Sequence, residues 1–259
     1  MWVLEEISSR KNQYVRLLRE LSGSAEKRRE SGLFAVEGDH LCGEAAKLDY
    51  EAEVFLYTQR AGEKYEKTVK AALQKAKKSF VITEEISEYI SDTKSPQGLF
   101  AAVGKRVCTI PENARKIVVL DGVQDPGNVG TVVRTAEALG FDGVVFTGKC
   151  ADAFSPKTLR ASMGSALRMP FGYADEKNLR GMLAGFSVYA AMLDESAKRL
   201  GETVFPEKTA VVIGSEGSGV SAEIADICDE KVYIPISGAE SLNAAAAAAI
   251  ILWEVSRRN

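Results

Sequence analysis

Histidine is nearly missing from this chain: its 259 residues hold one, His40. Chemistry that uses an imidazole as base, nucleophile partner or metal ligand must run through that residue. Serine hydrolases, most metallohydrolases and histidine proton shuttles are therefore disfavoured. No GxSxG elbow occurs either. Cysteine is scarce, four residues with no CxxC pair, which excludes a disulfide scaffold; with a single histidine, a zinc ribbon goes too. Long apolar runs are lacking: the longest, around 244–253, falls short of the roughly 18 to 20 residues of a membrane span. The opening MWVLEEISSRKNQ has no apolar signal-peptide core, so the expected location is cytoplasmic.

What remains is ordinary globular material of two-domain length, 46% apolar and 27% charged. A net charge of −3 does not suit a protein that holds nucleic acid by charge alone. The cations are clustered, however. Residues 8–29 carry Arg10, Lys11, Arg16, Arg19, Lys27, Arg28 and Arg29 against Glu20 and Glu26; residues 149–168 carry Lys149, Lys157, Arg160 and Arg168 against Asp152. Such stripes fit a protein that grips a polyanion at defined places, or else are solvated helix faces.

The first thirty residues read as a basic helical arm. From Phe34, short strands (FAVEG, AEVFLY, SFVIT, GLFAAV) alternate with helical segments (HLCGEAAKL, residues 63–78, EEISEYI), which predicts a small α/β domain. The polar stretch 104–115, with Pro111, reads as a linker. The second half opens on the buried-strand pattern KIVVLD. A helix over 129–139, GVVFTG, a helix over 156–167, FSVYAAM, AVVIG, a helix from Ser221, KVYIPI and a final helix from Ser241 follow. This alternation predicts a mostly parallel sheet covered on both faces, with its ligand site beyond the carboxyl ends of the strands.

Three loops lie there. The first, Asp121 to Ala136, is stiffened by Pro126 and freed at Gly127 and Gly130. Asn128 reads as its helix N-cap, and Arg134 stands near the second turn. The second, GSEGSGVS from Gly214, offers glycines that admit a ligand to the backbone, with Ser221 as a cap. Its Gly217-x-Gly219-x-x-Ala222 pattern imitates a dinucleotide fingerprint, but the strand ends three residues too early. The third, IPISGAESLN from Ile234, places Ser241 and Asn243 at the start of the last helix, where they cap or bind. One Arg, one Glu, short polar side chains and much free backbone suit orientation and electrostatic stabilisation more than metal or strong proton-transfer chemistry. Group transfer from an activated donor fits.

NVGTVVRTAEALG, VVIGSEGSGVS and YIPISGAESLNAAAAAAIILWE resemble, in order, the three signature motifs of the SpoU (TrmH-like) family of RNA ribose 2′-O-methyltransferases, in the SPOUT superfamily. LRASMGSALRMPF resembles a basic segment of that family. ISSRKNQYVRLLRELSGSAEKRRESGLFAVEG and SPQGLFAAV resemble, less specifically, the substrate-binding domain of its ribosomal-RNA members. The resemblance implies an α/β protein: a small N-terminal α/β RNA-binding domain with a basic helical arm (1–106), a linker (107–114) and a parallel-sheet SPOUT domain with a C-terminal trefoil knot (115–259). It implies transfer of a methyl group from S-adenosyl-L-methionine to a ribose 2′-hydroxyl, in ribosomal RNA rather than tRNA, by a homodimer without metal. Carried over by motif, Gly214, Ile234 and Leu242 fall at the cofactor, with Thr147 and Gly148 as further candidates. Asn128, Arg134, Glu216, Ser241 and Asn243 fall at active-site positions. The chain departs from the family at Ala244, where a β-branched residue is common. The final helix is expected in the core or the dimer interface, and residues 8–29 are expected to touch RNA.

Overall fold

The alternating apolar segments become the strands of two separate sheets in the computed structural model, which describes residues 5–106, 109–238 and 240–257. Two compact units divide the chain, one of residues 1–106 and 154–168, the other of residues 107–153 and 169–259.

In the first unit the chain runs β1 (Glu6–Ile7), α1 (Gln13–Gly23), α2 (Ala25–Ser31), β2 (Leu33–Glu37), α3 (Gly38–Lys47), β3 (Ala52–Thr58), α4 (Gln59–Lys64), α5 (Glu66–Lys75), β4 (Ser79–Ile82), α6 (Glu84–Ile90) and β5 (Leu99–Gly104). The sheet order is β1-β4-β3-β5-β2, parallel across β1, β4 and β3 and antiparallel across β3, β5 and β2. The basic N-terminal segment is not a free arm. Its helix α1 buries Val15, Leu18 and Leu21 in one cluster with Ile82, Ile86, Ile90 and Phe100, each such side chain contributing at most about 1.5–3 kcal/mol. Nor is Arg28 available to RNA: it is 4% exposed, and its Nη1 donates to the Leu21 carbonyl at the end of α1 at 2.5 Å. A helix end leaves carbonyls unpaired, and a buried guanidinium answers them. Arg10 pairs with Glu85 and Lys27 with Glu20, whereas Arg29 is exposed. The helix expected over 63–78 is two helices, because Tyr65 breaks it at φ −119°, ψ 41°.

The second unit carries β6 (Lys116–Asp121), α7 (Pro126–Ala138) and β7 (Gly143–Thr147). The chain then joins the first unit for residues 154–168, as α8 (Pro156–Ala161) and a short 3₁₀ turn at Ser165–Leu167. The single helix expected over 156–167 is broken because Met163 and Gly164 both have positive φ, 49° and 82°. Phe154 packs on Phe34 with ring centroids 4.7 Å apart, the Tyr50 hydroxyl donates to the Leu167 carbonyl at 3.0 Å, and Arg168 meets Glu44 at 2.6 Å.

Back in the second unit come β8 (Phe171–Tyr173), α9 (Glu176–Met182), β9 (Ser187–Ala191), β10 (Lys198–Arg199), β11 (Thr209–Gly214), α10 (Ala222–Ala225), β12 (Glu230–Tyr233) and α11 (Ala244–Arg257). All seven strands are parallel, in the order β10-β12-β9-β11-β6-β7-β8. Central β11 is buried at all six positions, as expected of a strand covered on both faces. Of the expected linker 107–114, residues 107 and 108 lie outside the described residues. Pro111 to Ala114 form a turn closed by Ala114 N–H on the Pro111 carbonyl at 3.0 Å. Among the described residues no helix is long and apolar enough to cross a membrane.

The sheet fixes where a site belongs. β6 and β11 are neighbours in register, with Gly214 beside Asp121. From β6 the chain continues towards the β8 edge, and from β11 towards the β10 edge. In a parallel sheet such a reversal of direction marks where a ligand site is expected, beyond the carboxyl ends of the strands.

Candidate active site

Asp121, the last residue of β6, anchors the loops at this end of the sheet. It is 6% exposed and spends its two carboxylate oxygens on different elements: Oδ1 accepts from the Thr147 hydroxyl at 2.8 Å and Oδ2 from the Ser221 backbone N–H at 2.7 Å. One buried side chain so ties the ends of β6 and β7 to the glycine-rich loop after β11. Sequence reading missed this role, although an acid closing the apolar run KIVVL is the signal for it. Ser221 takes the N-cap position of α10 without a side-chain cap bond.

The helix α7 opens at Pro126, whose fixed φ suits a first helical position. Its cap is Asp125, which accepts the Asn128 N–H at 2.9 Å. Asn128 is therefore not the cap expected from the sequence. It stands one turn inside, with its side chain free for other work. Val129, Val132, Val133 and Ala136 bury the opposite face of α7.

The loop after β11 folds on itself. Ser215 N–H donates to the Gly219 carbonyl at 3.1 Å, and Gly219 N–H returns to Ser215 at 2.9 Å. A Cβ on Gly214 would lie 2.0 Å from the Gly219 carbonyl carbon, so only glycine fits there. The turn leaves Glu216 exposed at its tip.

Asn243 caps α11: its Oδ1 accepts from the Ala245 and Ala246 N–H groups at 3.0 and 3.2 Å. Its amide nitrogen donates to Asn128 Oδ1 at 3.0 Å, and the Asn128 amide in turn donates to Glu216 Oε1. Three loops distant in sequence thus meet in one directed chain of hydrogen bonds, running from the α11 N-terminus to a carboxylate. Glu216 Oε2 has no partner among the described residues.

Beside this chain lies a cleft of about 270 Å³, near the lower end of the roughly 300–1,000 Å³ common for small-ligand sites. Gly214, Glu216, Ile234, Ser241 and Leu242 line it, as does Ala244. Its wall also includes residues that the motifs did not single out: Met192 and Leu193 past the end of β9, Ile213, Ile236, and Ile251 of α11. Thr147 and Gly148 are not in the lining; Thr147 is buried on Asp121. Aliphatic walls and backbone groups, with Ser215, Glu240 and Ser241 as polar points, suit a nucleoside carrying an aliphatic, zwitterionic tail.

Arg134 stands apart. Six residues along α7 place it about 9 Å up the axis from Asn128. It is exposed, and among the described residues it pairs with no carboxylate. No group of three or more His, Cys, Asp and Glu side chains gathers as a metal site among the described residues. Nor is a thiolate on offer nearby: burial pushes the Cys150 thiol up, and burial, with Asp229 and Asp121 adding to it, pushes Cys228 up to about 12.

Comparison with known proteins agrees with this geometry. Residues 115–253 match the SpoU rRNA Methylase family, and residues 12–101 match the MRM3-like substrate binding domain. The 23S rRNA (guanosine(2553)-2′-O)-methyltransferase RlmP of Bacillus subtilis is 35% identical over 97% of this chain and 99% of its own. Among solved structures, an AdoMet-bound rRNA methyltransferase from Sinorhizobium meliloti superposes with a TM-score of 0.87 at 29% identity, covering 98% of this chain and 97% of that one. The SpoU methyltransferase AviRb from Streptomyces viridochromogenes, in complex with AdoMet, gives 0.85 at 27% identity over 95% and 98%. By its parallel sheet, its three joined loops and these relatives, the chain belongs to the SpoU rRNA methylase family.

Proposed function

We propose that this protein transfers a methyl group from S-adenosyl-L-methionine to a ribose 2′-hydroxyl of ribosomal RNA. The observation that carries the reading is the chain Asn243–Asn128–Glu216, whose Glu216 lines the cleft. Gly214, Ile234 and Leu242 would hold the cofactor, against the aliphatic wall of the cleft. When bound, the cofactor supplies a methyl group already made electrophilic by its sulfonium.

The remaining difficulty is a poor nucleophile that must be oriented and must shed a proton. Asn128 and Asn243, fixed by each other, orient the ribose and the loop, and Ser241 stands on the cleft wall beside them. Glu216 fixes Asn128 through one oxygen and keeps the other for Arg134 or the ribose. A guanidinium stays charged in proteins and makes a poor base. Arg134 therefore acts by binding the phosphate next to the reacting ribose and stabilising the developing alkoxide, the proton leaving through that phosphate or water. Ribosomal RNA is favoured over tRNA by the first unit, which matches a substrate-binding domain, and such a substrate goes with a cytoplasmic location.

The same reading takes residues 1–106 as the RNA-binding domain, 115–259 as the SPOUT domain with its trefoil knot, and the active form as a homodimer. Ile250 and Trp253, one turn apart on α11, are 42% and 58% exposed, an apolar pair that fits a second copy. Light scattering at micromolar concentration should give twice the chain mass; a strict monomer would remove the dimer.

The main test is transfer of labelled methyl from S-adenosylmethionine to total ribosomal RNA, followed by digestion to nucleosides. Label should appear in a 2′-O-methylated nucleoside. Arg134→Ala should lower turnover about a hundredfold or more, as loss of a transition-state electrostatic group does, with cofactor affinity unchanged. Label found in a base instead would refute the reading.

A further inference from the structure

A second cavity, of about 340 Å³, lies wholly within the first unit, between the start of α3, the stretch before β5 and the turn after α8. The methyl-transfer chemistry uses none of its residues. Its polar groups are held in place yet incompletely satisfied. Glu37 accepts the Ser91 and Thr93 hydroxyls on Oε1, at 2.5 and 3.2 Å, and keeps Oε2 without a partner among the described residues. Gln97 Oε1 accepts the Asp39 N–H at 2.7 Å, so its amide N–H donors remain. That arrangement needs Gly38, at φ +88°, since a Cβ there would lie 2.7 Å from Gln97 Oε1.

Arg160 supplies the cation of this cavity. Its Nη2 reaches Asp92 at 3.2 Å, its Nη1 makes no hydrogen bond among the described residues, and its side chain is 35% exposed. The chain's one histidine closes the other side. His40 Nε2 meets the Met163 carbonyl at 3.0 Å. A carbonyl only accepts, so Nε2 carries hydrogen and the Nδ1 of a neutral ring is an acceptor. Met163 holds a left-handed φ of 49° and is 46% exposed. Such a backbone persists in a non-glycine residue only where its surroundings enforce it. It sets a polarisable thioether, a good neighbour for an aromatic ring, at the cavity.

A carboxylate and a guanidinium on one cavity disfavour a bare phosphate, which Glu37 repels, and a bare cation, which Arg160 repels. A neutral planar ligand with adjacent donors and acceptors satisfies both. Guanine has this pattern: its N1–H and 2-amino group donate to a carboxylate, while O6 and N7 accept from arginine and amide donors. We propose that the cavity takes one unpaired guanine of the RNA substrate. The proposal rests on the reading that the chain acts on RNA, and gives the first unit a base-reading role of its own.

The test is isothermal titration of the full chain with guanosine 5′-monophosphate, cytidine 5′-monophosphate and inorganic phosphate, with S-adenosylmethionine present to keep the other cleft filled. The guanine nucleotide should saturate near one site per chain, with the cytosine nucleotide at least about tenfold weaker and phosphate silent. Arg160→Ala should weaken guanine nucleotide binding about tenfold or more, the usual worth of hydrogen bonds to a charged group. Glu37→Gln can still accept from Ser91 and Thr93, and should do the same at an unchanged melting temperature. Equal binding of the two nucleotides, competition by phosphate alone, no guanine binding, or an unchanged affinity in both folded variants would overturn the proposal. S-adenosylmethionine titrated alone reports on the methyltransferase reading separately, so the two failures are distinguishable.

Discussion

Glu216 sits at the tip of a turn that closes on itself between Ser215 and Gly219, so its backbone position does not depend on the contact it makes with Asn128. The side chain can therefore be changed without disturbing the fold. Glu216→Gln keeps an acceptor for the Asn128 amide but removes the charge, and charge-assisted hydrogen bonds are roughly twice as strong as neutral ones. Turnover on ribosomal RNA is expected to fall about tenfold while cofactor affinity and melting temperature stay unchanged. A variant with wild-type turnover would reduce Glu216 to a loop residue. At the same scale, residue type alone misled the reading of Asn128. Asp125 followed by Pro126 is the better helix start, because proline suits the first helical position and the aspartate then lies three residues before the N–H it accepts. With the cap supplied by Asp125, three residues upstream, the Asn128 side chain is left for its contacts with Asn243 and Glu216.

Among the elements, α11 is joined through its cap to the proposed site. Asn243 satisfies two amide groups of the first turn with its oxygen and Asn128 with its nitrogen. Asn243→Ala should cost about 1 kcal/mol of stability, the usual worth of an N-cap, and activity with it. Asn243→Asp separates the two roles. It keeps the cap, and a negative charge at a helix N-terminus is favourable. But it sets a carboxylate against Asn128 Oδ1, so melting temperature should hold while turnover drops about tenfold. Loss of both together, or of neither, would argue against the hydrogen-bond chain. The strands were the legible elements. KIVVLD and TAVVIG are buried along both faces, and an unbroken β-branched run announces that. The edge strands β1 and β10, two residues each, carry too little pattern to be read. Gly164, at φ 82°, was the local signal for the break after α8, but nothing in the sequence forecast that Met163 before it would also take a positive φ.

At the scale of the molecule, the three loops that meet through Asn243, Asn128 and Glu216 could be found in the sequence because their motifs are local. The partition of the chain was not legible: Tyr50 meets Leu167 across 117 positions, and contacts of that span leave no periodicity behind. Residues 154–168 leave the second unit, contribute to the first, and return. The two units are thus bound by three passages of chain, after 106, 153 and 168, rather than by one. Phe154, Leu159 and Leu167, all residues of the first unit, are at most 7% exposed. A fragment of residues 115–259, the natural cut by motif, would carry those apolar side chains without the strands that bury them. It should aggregate on expression, whereas co-expression with residues 1–114 should restore a soluble pair that co-elutes; a monodisperse isolated fragment would contradict this. A protease that nicks the chain near 107 would separate nothing. Domain shuffling has the same difficulty: a recombination that exchanges only the N-terminal portion inherits a borrowed helical segment moulded to its former host, so the two parts must change together or not at all.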